Sequence, residues 1–330
     1  MKNILVLGGT GFVGRAVCER LVERIVGANG GVSGAMGGSS QGRITVPTRR
    51  LAHGLAIRSL PTVELVQANV HDESTLARLV AGQDAVVNLV AILHGSASAF
   101  ADVHIGLAQK IANACHLSGV RRVVHVSALG ARGDAPSNYL RSKAEGEAVL
   151  RAAQLDLTLL RPSVIFGAED RFLNLFAKLQ AFAPLMPLAG SSARFAPVWV
   201  TDVASAIAAC LDQPSSINTT YELVGPQVYT LSELVRLAGR WSGHERPQLP
   251  LPDALGRLQA LMLELLPGEP LMSRDNLDSM KVPNVASGTL PGLADLGVTA
   301  TALQAVGPGY LGDVMGRARL NRWRARAGRD

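Results

Sequence analysis

Strand-like and helix-like patterns alternate through the first 160 residues, and this constrains the fold more than anything else in the chain. Short apolar runs stand at 2–7, 43–48, 63–68, 85–90, 122–126 and 157–160. Between them lie helical patterns at 12–24, 73–80, 99–117 and 138–153, with Asp72 placed to cap the second. Most of the runs are continuously apolar, so both faces of those strands have to be covered. A parallel sheet with right-handed helical crossovers on its two sides meets that demand. The expected fold is α/β, a Rossmann-type doubly wound parallel sheet.

Beyond Pro162 prolines multiply and the elements become short and mixed. A smaller C-terminal α/β region, interleaved with the core, is expected there. The organisation read from the chain is a nucleotide-binding core at 1–165, a substrate or interaction region at 166–312 and a basic tail at 313–330. Residues 27–42 include seven glycines and read as a flexible loop. The leucine-rich stretch 255–266 is expected to pack in a core, with an apolar surface contact as the alternative.

Composition narrows the class. With 48% hydrophobic and 18% charged residues the chain is not wholly disordered. No run reaches the ~18 apolar residues of a spanning helix, and no secretory pattern opens the chain. A cytoplasmic protein is therefore expected. Cys18, Cys115 and Cys210 lie far apart in helical apolar patterns and read as buried thiols. The seven histidines show no ligand spacing and read as solvated or core residues, so no metal is expected. Asp202, between a strand and a helix, reads as an N-cap.

The net charge of +6 becomes informative once located. Residues 317–330 hold six arginines and one aspartate, a local +5, which leaves +1 for everything else. A nucleic-acid-binding body is not supported. The tail, with Leu320 and Trp323 among its arginines, suits an anionic membrane surface or an acidic partner; the alternative is a frayed, solvated terminus.

Gly8, Gly11 and Gly14 follow the first strand directly and precede the first helix. The first glycine permits the tight turn, the second lets backbone approach a pyrophosphate, and the last lets helix and strand pack closely. At the end of the second strand, where a carboxylate would bind a ribose hydroxyl, stand Arg49 and Arg50. They read either as a site for the 2′-phosphate of NADP(H) or as a solvated basic strand end. NADP(H) is the expected cofactor, with NAD(H) as the alternative.

The glycine turn at 8–14 together with residues 161–167 (RPSVIFG) and 197–204 (PVWVTDVA) resembles the extended and atypical short-chain dehydrogenase/reductase superfamily, which is NAD-dependent epimerase/dehydratase-like. Residues 124–131 (VHVSALGA), 139–147 (YLRSKAEGE), 171–179 (RFLNLFAKL) and 273–280 (SRDNLDSM) narrow the likeness. They resemble the branch that holds the nucleotide-binding accessory subunit of respiratory complex I and its bacterial relatives. The resemblance covers residues 1–285 and implies a Rossmann-type core around a pyridine dinucleotide, usually NADPH, held rather than turned over. A related branch is associated with coenzyme Q synthesis. The resemblance further implies pyrophosphate contacts at Gly8, Thr10, Gly11, Phe12 and Val13, and a 2′-phosphate contact at Arg49. It places Asn69 and Val70 at the adenine, residues 88–91 (Leu89 and Ala91 among them) along the nicotinamide ribose, and further cofactor contacts at Pro162 and Val164.

Tyr139 and Lys143 are four apart on an expected helix and share a face. An ammonium beside a phenol lowers its pKa and fits it for proton exchange with a carbinol or carbonyl; the same lysine can bond the nicotinamide ribose. The plain alternative for Lys143 is a solvated helix face. The superfamily also uses a hydroxyl that polarises the substrate oxygen, and direct alignment places Ala128 there. Ser127 fills the role only if the strand end shifts by one. Two functions follow: a dinucleotide-loaded accessory or assembly module of the respiratory or quinone machinery, peripheral on the inner face of the membrane, or an active NADP(H)-dependent oxidoreductase or epimerase using Tyr139 and Lys143.

Overall fold

A computed structural model describes residues 1–28, 42–265, 268 and 270–312. The chain divides into two compact units. One comprises Met1–Pro162, Val200–Leu223 and Ser287–Thr299; the other comprises Ser163–Trp199, Val224–Ala286 and Ala300–Asp330.

The first unit is built on a seven-stranded sheet. Its strands are β1 (Asn3–Leu7), β2 (Arg43–Thr48), β3 (Val63–Gln67), β4 (Ala85–Asn88), β5 (Arg122–Val126), β6 (Asp156–Pro162) and a late strand at Thr219–Leu223. Across the sheet the order is late strand, β6, β5, β4, β1, β2, β3, and every pairing is parallel. The order reverses between β1 and β4, where Leu7 stands beside Asn88. In open α/β sheets that switch point opens the ligand crevice at the strands' carboxyl ends.

The helices are α1 (Phe12–Ala28), α2 (Glu73–Val80), α3 (Ala97–Phe100), α4 (Leu107–Ser118) and α5 (Asn138–Ala152). Because the crossovers run in opposite directions from the switch point, right-handedness sends α1 to one face and α4 and α5 to the other. α1 packs on a helix at Val200–Asp212, while α4 packs on α2 and α5. Arg24 of α1 forks onto Asp212, with Nε 2.7 Å from Oδ2. Ile4, Leu5, Val6 and Leu7 are fully buried, as continuous burial of a parallel strand requires. Cys18, Cys115 and Cys210 are buried free thiols, as expected.

The expected helix over 99–117 is broken by a π-helical turn at Ala101–Gly106 between α3 and α4. β4 ends at Asn88, two residues early, because the Asn88 side chain accepts from the Val90 amide and turns the chain. Asp72 caps α2 as expected, accepting from Thr75 N at 2.7 Å. Asp202, expected just ahead of the helix, is buried within the first turn of the helix at Val200–Asp212.

The second unit holds the helices Leu173–Phe182, Leu231–Ser242, Asp253–Glu264, Arg274–Ser279 and Leu303–Leu311, with short strands between them. Its core gathers Phe166, Phe176, Leu188, Phe195, Leu231 and Leu234. Asp170, buried, accepts from the amides of Phe172, Leu173 and Asn174 and from the Tyr310 hydroxyl. The leucine-rich stretch departs from expectation. Along Asp253–Glu264 only Gly256 and Ala260 are buried, whereas Leu258 is 55% and Met262 61% exposed. The helix turns its small residues inward, where Gly256 lies against Ala189, and its large ones outward. The basic tail at 313–330, and most of the glycine-rich loop, lie outside the described residues.

Candidate functional site

The site begins at the turn between β1 and α1. Gly8 has φ +83°, and Gly11 N donates to Gly8 O at 3.0 Å to close the turn. A Cβ on Gly8 would stand 3.2 Å from the backbone of Leu89 and Val90. A Cβ on Gly14 would fall 2.2 Å from Gly8 O and 2.5 Å from Gly9 Cα, so no side chain fits there. The turn is thereby drawn tightly against both the helix and the β4 end. Gly11 is exposed, and Thr10, Phe12 and Val13 are half-buried along the rim. A backbone cradle opening on the first amides of a helix fits a pyrophosphate.

Arg49 and Arg50 leave β2 as exposed side chains without an ion-pair partner among the described residues. Arg50 O accepts from Thr48 Oγ1, which bends the strand end. Beyond β3, Asn69 is exposed and its Oδ1 accepts from His71 N. Lys110 Nζ donates to His71 O at 2.7 Å. Burial lowers the His71 imidazole, and Lys110 and Arg49 lower it further, so Arg49 lies within electrostatic reach of the loop carrying Asn69 and Val70. Lys110 is thereby tied to His71, next to the loop carrying Asn69 and Val70. Lys110 and His71 had no motif to announce them.

At the end of β4, Leu89 N donates to Leu7 O, and Ala91 is exposed. Asn88 is buried and its amide nitrogen donates to His125 Nδ1 at 3.0 Å. At the end of β5, Ser127 N donates to Leu160 O, so residue 127 still belongs to the sheet ladder. The Ser127 side chain is 4% exposed, and its Oγ has no partner among the described residues. Ala128 is buried beside it in sequence. Pro162 closes β6, and its carbonyl accepts from Leu129 N. Val164 belongs to the second unit, where its amide donates to Asn284 Oδ1.

α5 starts on the cap Ser137, which accepts from Leu140 N, and it carries both Tyr139 and Lys143. Lys143 is 1% exposed, and Nζ donates to Val126 O at 2.8 Å. The solvated-face alternative for Lys143 is thereby removed. Burial brings its ammonium down to about 8 against the opposing charge of Glu147. Tyr139 sits edge-on to His104 at 5.7 Å and to Phe100 at 6.1 Å. Burial pushes its phenol up to about 12, opposite to the direction expected from a neighbouring ammonium. The lysine's proton is directed at a carbonyl instead.

His104, in the π turn, and His125 are residues that spacing did not single out for function. Both are buried, and burial lowers both imidazoles, His104 to about 3. A signal for His125 existed: Asn88 and His125 are polar ends of two apolar strands and stand in register. For His104 the signal was a lone imidazole on the apolar stripe that runs from Phe100 to Leu107 and Ile111.

An NAD(P)H-binding family model matches residues 8–214. The chain belongs to this family. Within it, the chain is 31% identical over 96% of its length to the mitochondrial NADH dehydrogenase [ubiquinone] 1 alpha subcomplex subunit 9 of Rattus norvegicus, covering 81% of that protein. It is 27% identical to the mitochondrial NADH-ubiquinone oxidoreductase 40 kDa subunit of Neurospora crassa, over 89% of this chain and 74% of that one. Among solved structures, the NADPH-dependent quinone oxidoreductase QOR2 of Escherichia coli with NADPH matches at TM-score 0.71 and 21% identity. That likeness covers 93% of this chain and 99% of QOR2 and concerns the fold. The chain is thus a pyridine-dinucleotide-binding protein of the short-chain dehydrogenase type, in the branch of the complex I subunits.

Proposed function

We propose that the chain is a dinucleotide-loaded accessory or assembly protein of the respiratory chain or of quinone metabolism, with NADP(H) as its preferred nucleotide. The engagement of Lys143 carries this reading. An acid/base working near neutrality needs a pKa close to the working pH. Lys143, the ammonium that would bring the Tyr139 phenol down, donates instead to the Val126 carbonyl at 2.8 Å. Ala128 stands where the superfamily places its hydroxyl. The rat and Neurospora relatives are respiratory-chain subunits by name, which supports respiratory or quinone-pathway partners here. Among the described residues no helix is long and apolar enough to cross a membrane, and the basic tail is the proposed contact with an anionic membrane surface.

In this reading Gly8, Thr10, Gly11, Phe12, Val13 and Gly14 hold the pyrophosphate, and Arg49 and Arg50 the 2′-phosphate. Asn69 and Val70 line the adenine, while Leu89, Ala91, Lys143 and Pro162 border the nicotinamide end. A bound nucleotide would supply hydride-transfer chemistry there. The test is whether the purified chain carries nucleotide, and whether that nucleotide changes redox state when ubiquinone analogues or sugar nucleotides are added. Stoichiometric nucleotide that stays unchanged is expected.

A second reading, an active NADP(H)-dependent oxidoreductase or epimerase, is favoured by one observation. Ser127 Oγ is buried without a partner among the described residues, a donor and acceptor that a substrate oxygen could satisfy. Redox turnover in the same assay would decide for this reading.

A further inference from the structure

Two amides of the backbone leaving β4 are each held by a buried side chain. Val90 N donates to Asn88 Oδ1 at 3.1 Å, and Asn88 is itself tied to His125. Ile92 N donates to His104 Nε2 at 3.2 Å. Since Nε2 accepts, the proton of the neutral ring sits on Nδ1, which donates to Ser142 Oγ at 2.8 Å. The Ser142 hydroxyl donates in turn to the Tyr139 carbonyl at 2.9 Å. One imidazole therefore joins the segment after β4 to the first turns of α5.

The fold makes room for this link. His104 rides on the π turn, a rare distortion that is frequent at functional sites. α5 meets that turn through Gly146, where a Cβ would stand 2.5 Å from His104 O. The ring is 3% exposed, stacked on Phe100 at 5.7 Å, and lies within reach of the Lys143 charge. Only the neutral form offers an acceptor to Ile92 and a donor to Ser142 at once; an imidazolium has two donors and no acceptor.

We propose that His104 is a positioning residue of the nucleotide site. Its neutral Nδ1–H tautomer locks residues 89–92 to the helix bearing Tyr139 and Lys143, so both walls of the nicotinamide end are set before nucleotide arrives. The proposal rests on the dinucleotide-binding reading of this site. It goes beyond that reading by assigning a role to a residue that no glycine, tyrosine or lysine motif marks.

The test uses the whole chain with His104→Phe, which keeps ring packing and removes both hydrogen bonds, and His104→Gln, which keeps an acceptor for Ile92. Affinity for NADPH is measured by calorimetry. Amide exchange of residues 89–95 is measured in the nucleotide-free protein. His104→Phe should weaken NADPH binding about tenfold, as expected for a lost buried hydrogen bond, and speed exchange at Ile92. His104→Gln should recover most of both. Ser142→Ala, a milder change that frees the Nδ1 proton, serves if His104→Phe does not fold, and should move both readouts in the same direction. Parent-like exchange and affinity in the variants overturn the proposal. Equal losses in the phenylalanine and glutamine variants do so too, since they mark a merely structural ring. A parent chain that binds neither NADPH nor NADH removes the nucleotide reading on its own. Exchange at Ile92 then still decides whether His104 holds the segment.

Discussion

The ammonium of Lys143 donates to the carbonyl of Val126 across 2.8 Å and fastens α5 to the end of β5. Removing it leaves a carbonyl without its donor and takes a positive charge from the nicotinamide end. Lys143→Met should cost about 1–3 kcal/mol of stability and weaken nucleotide binding. Tyr139→Phe should leave nucleotide binding nearly intact, and would remove turnover only if the second reading holds. Paired denaturation and calorimetric titrations check both variants. A Lys143→Met protein with parent stability and affinity would reject the role.

Arg49 and Arg50 should set the cofactor preference. NADPH should bind more tightly than NADH by about 1.5–3 kcal/mol, the range of a hydrogen bond to a charged group. Arg49→Ala should remove most of the difference, and Arg50→Ala a smaller share. Equal affinities in the parent chain count against the 2′-phosphate site.

Gly14 tests the turn itself. A methyl group there meets Gly8 O at 2.2 Å, too close for any rotamer to relieve. Gly14→Ala should destabilise the chain by about 3 kcal/mol, the upper end of the usual overpacking range, and lose nucleotide with it. Urea unfolding measures the first effect. A folded variant with parent affinity would show that the turn can open without consequence.

The two buried imidazoles predict acid sensitivity. His104 is lowered to about 3, and His125 lies well below its ordinary value. Unfolded histidines titrate near 6.5, so below about pH 6.5 the unfolded chain binds more protons than the folded one. The full stability is present above that pH and declines as pH falls toward the folded values. The slope approaches about 1.4 kcal/mol per pH unit for each ring. Unfolding at about pH 7.5 and about pH 5 checks this, before most carboxylates titrate. His104→Phe should remove one ring's share of the slope. A flat profile contradicts the buried neutral state.

The tail carries a separate expectation. Each arginine near an anionic surface contributes about 1 kcal/mol, so a chain lacking residues 314–330 should lose sedimentation with acidic vesicles. Raising salt should weaken binding of the intact chain. Binding that survives both changes would assign it elsewhere.

Much of the sheet was legible because parallel strands bury both faces: Ile4 to Leu7 could be placed from apolarity alone. The glycine turn was legible because its spacing reflects steric exclusion, as Gly14 against Gly8 makes plain. What escaped depended on contacts distant in sequence. The outward leucines beyond Asp253 read as core because periodicity gives a face without saying what covers it. His104 was invisible because its partners, Ile92 and Ser142, lie 12 and 38 residues away and carry no pattern together. The raised pKa of Tyr139 arises from burial, which i and i+4 spacing does not encode.

The docking of α1 on the helix at Val200–Asp212 bears on how this chain is made. α1 leaves the ribosome about 180 residues ahead of the helix that covers it. At roughly 5–20 residues per second, the apolar side of α1 waits about 10–40 s for its cover. During that interval the side of α1 that packs on Val200–Asp212 has no cover from that helix. A nascent chain stalled before residue 200 should therefore be far more prone to aggregate than one released just after residue 223.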